Sequence, residues 1–182
     1  MRALLAALIF AAMAAPLGAQ HDRHDHNGPD HGAPYAGLQD REIASLSSDE
    51  IADLRAGRGM GYALAAELNG YPGPMHTLDL AEPLRLTAEQ QSATQELYEE
   101  MQAEAARLGE ELLESERALD RLFSEGGATP ESVAAATTKA ARLEGELRAH
   151  HLAYHLRMMD VLTEHQVRRY AHLRGYGDGH RH

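Results

Sequence analysis

Three residues near the C-terminal end of the chain have side chains that can bind metal ions. His151, His155 and Met159 follow one another at i, i+4 and i+8, so on a helix their side chains form a slowly turning ridge. Neutral imidazole suits zinc, copper, nickel and cobalt, and a thioether favours softer ions such as copper. The spacing therefore predicts a transition-metal site rather than a calcium or magnesium site.

The same ridge also has a purely structural interpretation. At about 100° per residue, His151 lies beside the apolar positions Tyr154 and Met158. His155 and Met159 turn progressively outward from that stripe. In this alternative His151 is a residue at the edge of the core, and His155 and Met159 are partly exposed side chains that bind nothing.

A second group of candidate ligands lies in the two tails of the chain. The stretch over residues 20–45 begins with a polar part that is rich in glycine and proline, so we expect a disordered segment there. Residues 175–182 are expected to form a flexible tail. Because ordering such a segment costs conformational entropy, its affinity for metal is limited. We expect the tails either to bind metal weakly or to be soluble segments that bind none. Their histidines are His21, His24, His26, His31, His180 and His182.

Composition limits the other kinds of chemistry. The chain has no cysteine, so any metal site must use His, Met, Asp or Glu, and disulfides and a cysteine nucleophile are excluded. Its 28 acidic and 17 basic residues give a formal charge of -11, which repels nucleic acid and attracts cations. We find neither a Ser-His-Asp constellation nor a glycine-rich phosphate loop after a strand, and therefore predict that the protein is not an enzyme.

The first 19 residues have the pattern of an export signal. Arg2 precedes an apolar run that ends at Pro16, and small residues follow at Gly18 and Ala19. We predict cleavage after Ala19 and a periplasmic location. Because Leu17 is bulky for the third position before the cut, an uncleaved N-terminal membrane anchor is the alternative. No later stretch approaches the ~20 apolar residues that cross a bilayer, so membrane contact is expected only through such an anchor.

The elements that must position the candidate ligands are all predicted to be helices, in one domain over residues 46–174. Ser47 and Glu50 have the spacing of a capping box, which predicts the start of a first helix. Three glycines within residues 57–61 weaken that helix, so we expect a kink there before it resumes over residues 60–68.

Two long helices follow, and their apolar faces predict that they pack against each other. The first starts at Thr87 and ends near Gly126, and the second starts at Thr129 and Pro130. Each has apolar residues at steps of three and four along one face, so we expect an antiparallel pair. The predicted apolar stripes are Leu97, Met101, Ala105, Leu108, Leu112, Leu119 and Leu122 in the first helix, and Val133, Ala136, Ala140, Leu143, Leu147, Tyr154, Met158 and Val161 in the second.

Two pentapeptides of one pattern bracket this pair of helices. Residues 86–90 read LTAEQ and residues 162–166 read LTEHQ, 76 positions later. Their threonine and glutamine fit helix caps, so we interpret them as structural. With two LTxxQ motifs behind an export signal, in a cysteine-free helical sequence, the chain resembles the periplasmic LTxxQ superfamily over about residues 75–176. The motif residues are Leu86, Thr87, Gln90, Leu162, Thr163 and Gln166.

The superfamily contains the Spy and CpxP stress proteins, zinc resistance-associated proteins, and nickel and cobalt sensors of resistance operons. The resemblance implies a bent antiparallel hairpin of about four helices that forms a cradle-shaped homodimer. It also implies either heavy-metal binding or an ATP-independent chaperone function. A membrane-bound signalling protein or unfolded client proteins would then be the partners.

The resemblance points to particular ligands as well. In the sensors of this superfamily, a His and a Met four residues apart ahead of the second motif ligate metal, and His155 and Met159 look like that pair. The sensors also draw His and Glu ligands from their first helix, which contains no histidine here. The nearest substitutes are Met60, Glu67 and His76, although Met60 fits a core position and Glu67 a solvated charge equally well. The implied ion is Zn, Cu, Ni or Co.

We therefore predict a periplasmic protein that binds or senses a heavy metal in a stress or resistance response. The first alternative is a chaperone or envelope-stress modulator, although acidic side chains dominate the hairpin where a chaperone cradle is expected to be basic and apolar. The second alternative is a helical module that docks on a signalling protein and has incidental histidines. The acidic side chains are Glu96, Glu99, Glu100 and Glu104, and a local basic patch could come from Arg142, Arg148, Arg157, Arg168 and Arg169.

Overall fold

The computed structural model describes residues 34–176, in which the predicted all-α class is confirmed. A 3-10 helix over Leu38–Asp40 precedes the α-helices. The predicted export signal and all six tail histidines lie outside the described residues. Within residues 34–176, no helix has the length and apolar character that crossing a membrane requires. The helices are α1 (Ser48–Arg55), α2 (Leu64–Glu67), α3 (Pro74–Asp79), α4 (Ala81–Leu84), α5 (Ala88–Ser124), α6 (Pro130–Val161) and α7 (Glu164–Leu173).

The long helices α5 and α6 pack against each other in antiparallel directions, as predicted. Near the start of α5, Gln90 Nε2 donates to the carbonyl oxygen of Val161 at the end of α6, at 2.8 Å. Farther along, His150 Nε2 is 2.9 Å from the carbonyl oxygen of Met101. The central parts of both predicted stripes are buried between the helices, whereas Leu119, Leu122, Val133 and Ala136 near the connecting turn are only partly buried.

Two hydrophobic clusters lie along this pair, and shorter elements cover each of them. Fully burying a large apolar side chain contributes about 1.5–3 kcal/mol to the free energy of folding. Burial in each cluster therefore stabilises the packing of the elements that cover it. Ile43 is completely buried in the first cluster, so the packed domain begins before the predicted boundary at residue 46. The first cluster contains Ile43, Ile51, Leu54, Ala105, Leu108, Leu112, Leu113, Ala140, Leu143 and Leu147. The second contains Leu84, Leu86, Leu97, Met101, Tyr154, Met158, Leu162 and Tyr170.

Helix α1 packs on α5 at a glycine. Its start has the predicted capping box, in which the Ser47 hydroxyl accepts the Glu50 N–H and the Glu50 carboxylate accepts the Ser47 N–H. A Cβ on Gly109 of α5 would overlap the carbonyl oxygen of Leu54 and lie 2.9 Å from its carbonyl carbon. The absence of a side chain at Gly109 therefore sets how closely α1 approaches α5.

The segment between α1 and α5 is more broken than the sequence predicts. The expected kink is present, because Gly57 and Gly61 have φ of 64° and 78°. However, only Leu64–Glu67 is helical within the predicted stretch over residues 60–68, since Met60 also has a positive φ of 44°. The apolar steps of that stretch thus overstate its helix length. Helices α2, α3 and α4 are short, and together they cover part of the α5–α6 pair.

The two LTxxQ motifs cap helices as predicted, and they also contact each other. Thr87 with Gln90 and Thr163 with Gln166 form complete capping boxes at α5 and α7. In addition, the side-chain amides of Gln90 and Gln166 exchange two hydrogen bonds of 2.9 Å. Gln166 Nε2 also approaches the carbonyl oxygen of Leu84 at 3.4 Å. The motifs therefore fix the start of α7 against the start of α5 and the end of α4.

The close approach at Gly109 makes a stability prediction. The substitution Gly109→Ala is expected to lower the free energy of unfolding by about 1–3 kcal/mol, because its methyl group must push α1 away from α5. The control is Gly145→Ala in α6, where an added Cβ meets nothing within 4 Å. It should raise that free energy by about 0.5–1 kcal/mol, through helix propensity alone. Urea unfolding measures both, and equal effects would contradict the packing argument.

Candidate metal centre

A cavity of about 390 Å³ lies where the segment over residues 57–76 covers α5 and α6. Five of the six metal ligands proposed within the described residues line it, although they lie up to 95 positions apart in the chain, from residue 60 to residue 155. Two further thioethers, Met75 and Met101, line the same cavity. The candidates that it brings together are Met60, Glu67, His76, His151 and His155.

Glu67 is the buried acid of this cavity, so the expectation of a solvated charge is wrong. The residue is only 5% exposed. Oε1 accepts hydrogen bonds from the Tyr170 hydroxyl at 2.7 Å and from Arg174 Nε at 3.2 Å. Burial first, and then the bond to Glu67, raise the pKa of Tyr170 far above its ordinary value, so this phenol stays a donor. Oε2 has no hydrogen-bond partner among residues 34–176.

His76 faces protein groups with both ring nitrogens. Nδ1 is 3.4 Å from Oε1 of Glu67, and Nε2 is 3.5 Å from a terminal nitrogen of Arg174. Because arginine only donates, Nε2 accepts in the neutral ring and Nδ1 carries the hydrogen that faces the carboxylate. In this arrangement His76 positions Glu67 rather than offering a free lone pair.

His155 is buried rather than partly exposed, because the Tyr71–Pro74 stretch of the chain lies over its ring. Nδ1 is 2.7 Å from the carbonyl oxygen of Tyr71, which can only accept, so Nδ1 carries the hydrogen and Nε2 keeps its lone pair. Metal-binding histidines usually donate their other N–H in this way. A Cβ on Gly73 would lie 2.9 Å from Cε1 and 3.0 Å from Nε2 of this ring, so only glycine leaves room for it.

His151 is a second buried imidazole, one turn earlier on α6, and only 2% exposed. It stacks on Tyr62, with ring centroids 5.9 Å apart. Its Nε2 is buried and finds no hydrogen-bond partner in the described part of the chain. Burial, with smaller contributions from His150 and His155, lowers the pKa of His151 to about 4. His151 therefore stays neutral near pH 7, which is the form that binds metal.

Met159 takes a different position from the other candidates. Its side chain is 38% exposed on α6, and it does not belong to the described residues that line the cavity. Among residues 34–176, no group of three or more His, Asp or Glu side chains is arranged to hold a metal ion. Any ion in the cavity must therefore combine fewer of these groups with thioethers or water, or draw the side chains closer together.

Four side chains of this centre are not among the ligands and contacts that the sequence predicts. The sequence places Met101 only in the core stripe, and Met75 lies beside His76 in α3 without a spacing that indicates a ligand. Tyr170 and Arg174, which hold Glu67, lie one turn apart at the end of α7. Their i, i+4 spacing is a weak signal, since nothing in the local sequence links it to a carboxylate 103 positions earlier.

The buried neutral His151 makes a prediction about pH for the metal-free protein. The unfolded chain binds a proton at this residue near pH 6.5, whereas the folded chain does so only near pH 4. Stability from this residue is therefore complete above pH 6.5 and is lost as pH falls towards 4. The substitution His151→Phe should reduce the loss of unfolding free energy between pH 6.5 and pH 4 by roughly 3 kcal/mol, because phenylalanine does not titrate. It should also keep the stacking on Tyr62.

Urea unfolding between pH 4 and 7, with a chelator present, measures this effect. The exposed His172 gives the control, because His172→Phe should keep the pH dependence of the original protein. If His151→Phe and the original protein lose stability in parallel below pH 6.5, the burial argument for His151 is wrong.

Comparison with known proteins adds no relative to this picture. No family model, no curated protein and no solved structure matches the chain. The relation to the LTxxQ superfamily therefore stays a prediction from the two pentapeptides, and the centre has to be interpreted from its own residues.

Proposed function

We propose that the protein is exported to the periplasm and binds a transition-metal ion in this cavity, as a metal-binding or metal-sensing protein of a stress or resistance response. One observation carries the proposal. Glu67 Oε2 and His151 Nε2 are buried atoms without hydrogen-bond partners in the described residues, and both residues line the cavity that His155 also lines. An ion bound in the cavity would give both atoms a partner.

Leaving these two buried atoms without hydrogen bonds is energetically unfavourable. A buried polar atom without a partner costs about 1–3 kcal/mol, and such atoms in folded proteins usually indicate a missing ligand, water or ion. The Nδ1–H of His155 is already fixed by the Tyr71 carbonyl, so its Nε2 lone pair is oriented before any ion arrives. Imidazole nitrogen and thioether sulfur both select transition metals over calcium and magnesium.

Sensing would follow from where the ligands lie. His151 and His155 belong to the long helix α6, whereas Glu67 and Met60 belong to the broken segment that covers it. An ion bound by both would draw the covering segment towards α6 and would favour one position of that segment over others. A signalling partner that binds the surface of the covering segment would then bind differently with and without the ion.

A specific observation supports the chaperone alternative as well. The covering segment exposes four large apolar side chains, of which Leu64 and Met75 line the cavity, and α6 exposes two more. Clusters of exposed apolar side chains commonly mark protein interaction sites, for a client, a second copy in a cradle-shaped dimer, or a signalling protein. These side chains are Leu64, Leu68, Tyr71 and Met75, with Leu156 and Met159 on α6.

Calorimetric titration of zinc, copper, nickel and cobalt tests the proposal. The protein should be the full mature chain with its tail histidines replaced by asparagine, so that only the described residues offer imidazole. We expect binding at micromolar concentration or tighter. Glu67→Gln and His155→Gln should each weaken it by about 10-fold to 100-fold, because each removes a ligand or its orientation. The replaced histidines are His21, His24, His26, His31, His180 and His182.

The same titration of Met159→Leu separates two sites. If the cavity holds the ion, this exposed substitution leaves the affinity unchanged; if the His155–Met159 pair on α6 holds it, the affinity falls as much as in His155→Gln. Absence of binding by any of the four metals would refute the metal proposal. Suppression of client aggregation, measured by light scattering, would then support the chaperone alternative.

A further inference from the structure

The cavity contains an unusual share of the methionines of the chain. Five methionines lie within residues 34–176, and three of them line this one cavity: Met60, Met75 and Met101. They come from three separate parts of the chain, since Met101 lies on α5, Met75 on α3, and Met60 in the glycine-rich stretch. Thioether sulfur is a soft donor that binds monovalent copper in preference to harder ions.

The Asp53 carboxylate and one oxygen of Glu67, Oε1, are already engaged by cations in the same cavity. The Asp53 carboxylate forms an ion pair with Arg58, and Oε1 of Glu67 receives Arg174 together with Tyr170. These contacts reduce the negative charge that a divalent ion would need nearby. The other donors have no such competitor, because His151 Nε2 has no hydrogen-bond partner among the described residues and a thioether forms no ion pair.

The placement of Met60 is also uncommon. Its φ of 44° puts a non-glycine residue in the left-handed region, between two glycines that adopt such angles easily. Met60 packs against the first hydrophobic cluster and lines the cavity. A glycine at position 60 would adopt this φ without strain, but it would remove a thioether from the cavity wall.

We infer that the cavity selects a soft monovalent ion, Cu(I) or its analogue Ag(I), bound by thioethers of Met60, Met75 and Met101 together with the imidazoles of α6. The inference rests on the proposed metal-binding function and narrows it to one class of ion. Zinc, nickel and cobalt favour sites with three or more nitrogen or carboxylate ligands, and no such group is arranged among the described residues, so these ions are expected to bind more weakly. Two or three soft donors suffice for Cu(I), which fits the donors that remain free.

Anaerobic competition for Cu(I) against the chromophoric chelator bicinchoninate tests this inference. The protein is again the full mature chain with its tail histidines replaced, and Ag(I), zinc, nickel and cobalt are titrated in parallel. We expect Cu(I) and Ag(I) to bind at least about 100-fold more tightly than the three divalent ions. Sulfur scattering from bound Cu(I) in X-ray absorption spectra should accompany this preference.

Matched methionine variants identify the ligands. Met75→Leu should weaken Cu(I) binding about tenfold or more, and leave zinc binding and urea unfolding unchanged, since Met75 is 45% exposed and contributes little to the core. Met60→Leu should have the same effect on Cu(I). Met159→Leu, the same change at an exposed position outside the cavity, should alter neither ion.

Two results would overturn the inference in different ways. If zinc, nickel or cobalt binds in a manner that depends on His155 and Cu(I) binds no more tightly, the proposed metal-binding function stands and the selection of a soft ion is wrong. If no ion binds to the protein without tail histidines, both fail. Loss of Cu(I) binding in Met159→Leu alone would place the ion on the surface of α6.

Discussion

The candidate centre depends on the hydrogen bonds that the buried carboxylate of Glu67 accepts from Tyr170 and Arg174. Glu67 belongs to a helix of four residues, and an isolated helix of that length is not stable in water. Burying a carboxylate costs several kcal/mol unless charged and polar partners compensate. Tyr170 and Arg174 provide that compensation from α7, so the cover of the cavity is held by a helix at the other end of the sequence.

The position of α7 depends in turn on the two LTxxQ motifs. Gln166 forms its amide pair with Gln90 and lies one turn before Tyr170 on α7. The amide pair fixes the start of α7 against α5, and the next turn then presents the phenol to Glu67. The motifs are therefore structural residues whose influence reaches the centre through two contacts. A resemblance based on them predicts the scaffold more directly than it predicts a ligand.

Local features of the sequence predicted most of the scaffold. Ser47, Thr87, Thr129 and Thr163 cap helices as expected, because a cap depends only on residues within one turn. The burial of His155 could not be predicted in this way, since it depends on Tyr71, which lies 84 positions earlier. A helical wheel describes one helix and contains no information on what folds over it. The sequence therefore predicts most candidate ligands by their type, but not their surroundings.

The two walls of the cavity differ in how easily they can move, and this difference bears on signalling. One wall consists of α5 and α6, whose 37 and 32 residues share an extensive buried interface. The other consists of α2 and α3, of four and six residues, and of the glycine-rich stretch before α2, in which Gly57, Met60 and Gly61 have positive φ. Local opening requires least free energy where few apolar contacts are lost, so it is expected in the second wall. An ion with ligands on both walls would bind more tightly when the second wall is closed on α5 and α6 than when it is open. This difference in affinity would stabilise the closed state. Because Leu64, Leu68 and Met75 are exposed on that wall, the same displacement would change the apolar surface available to a partner.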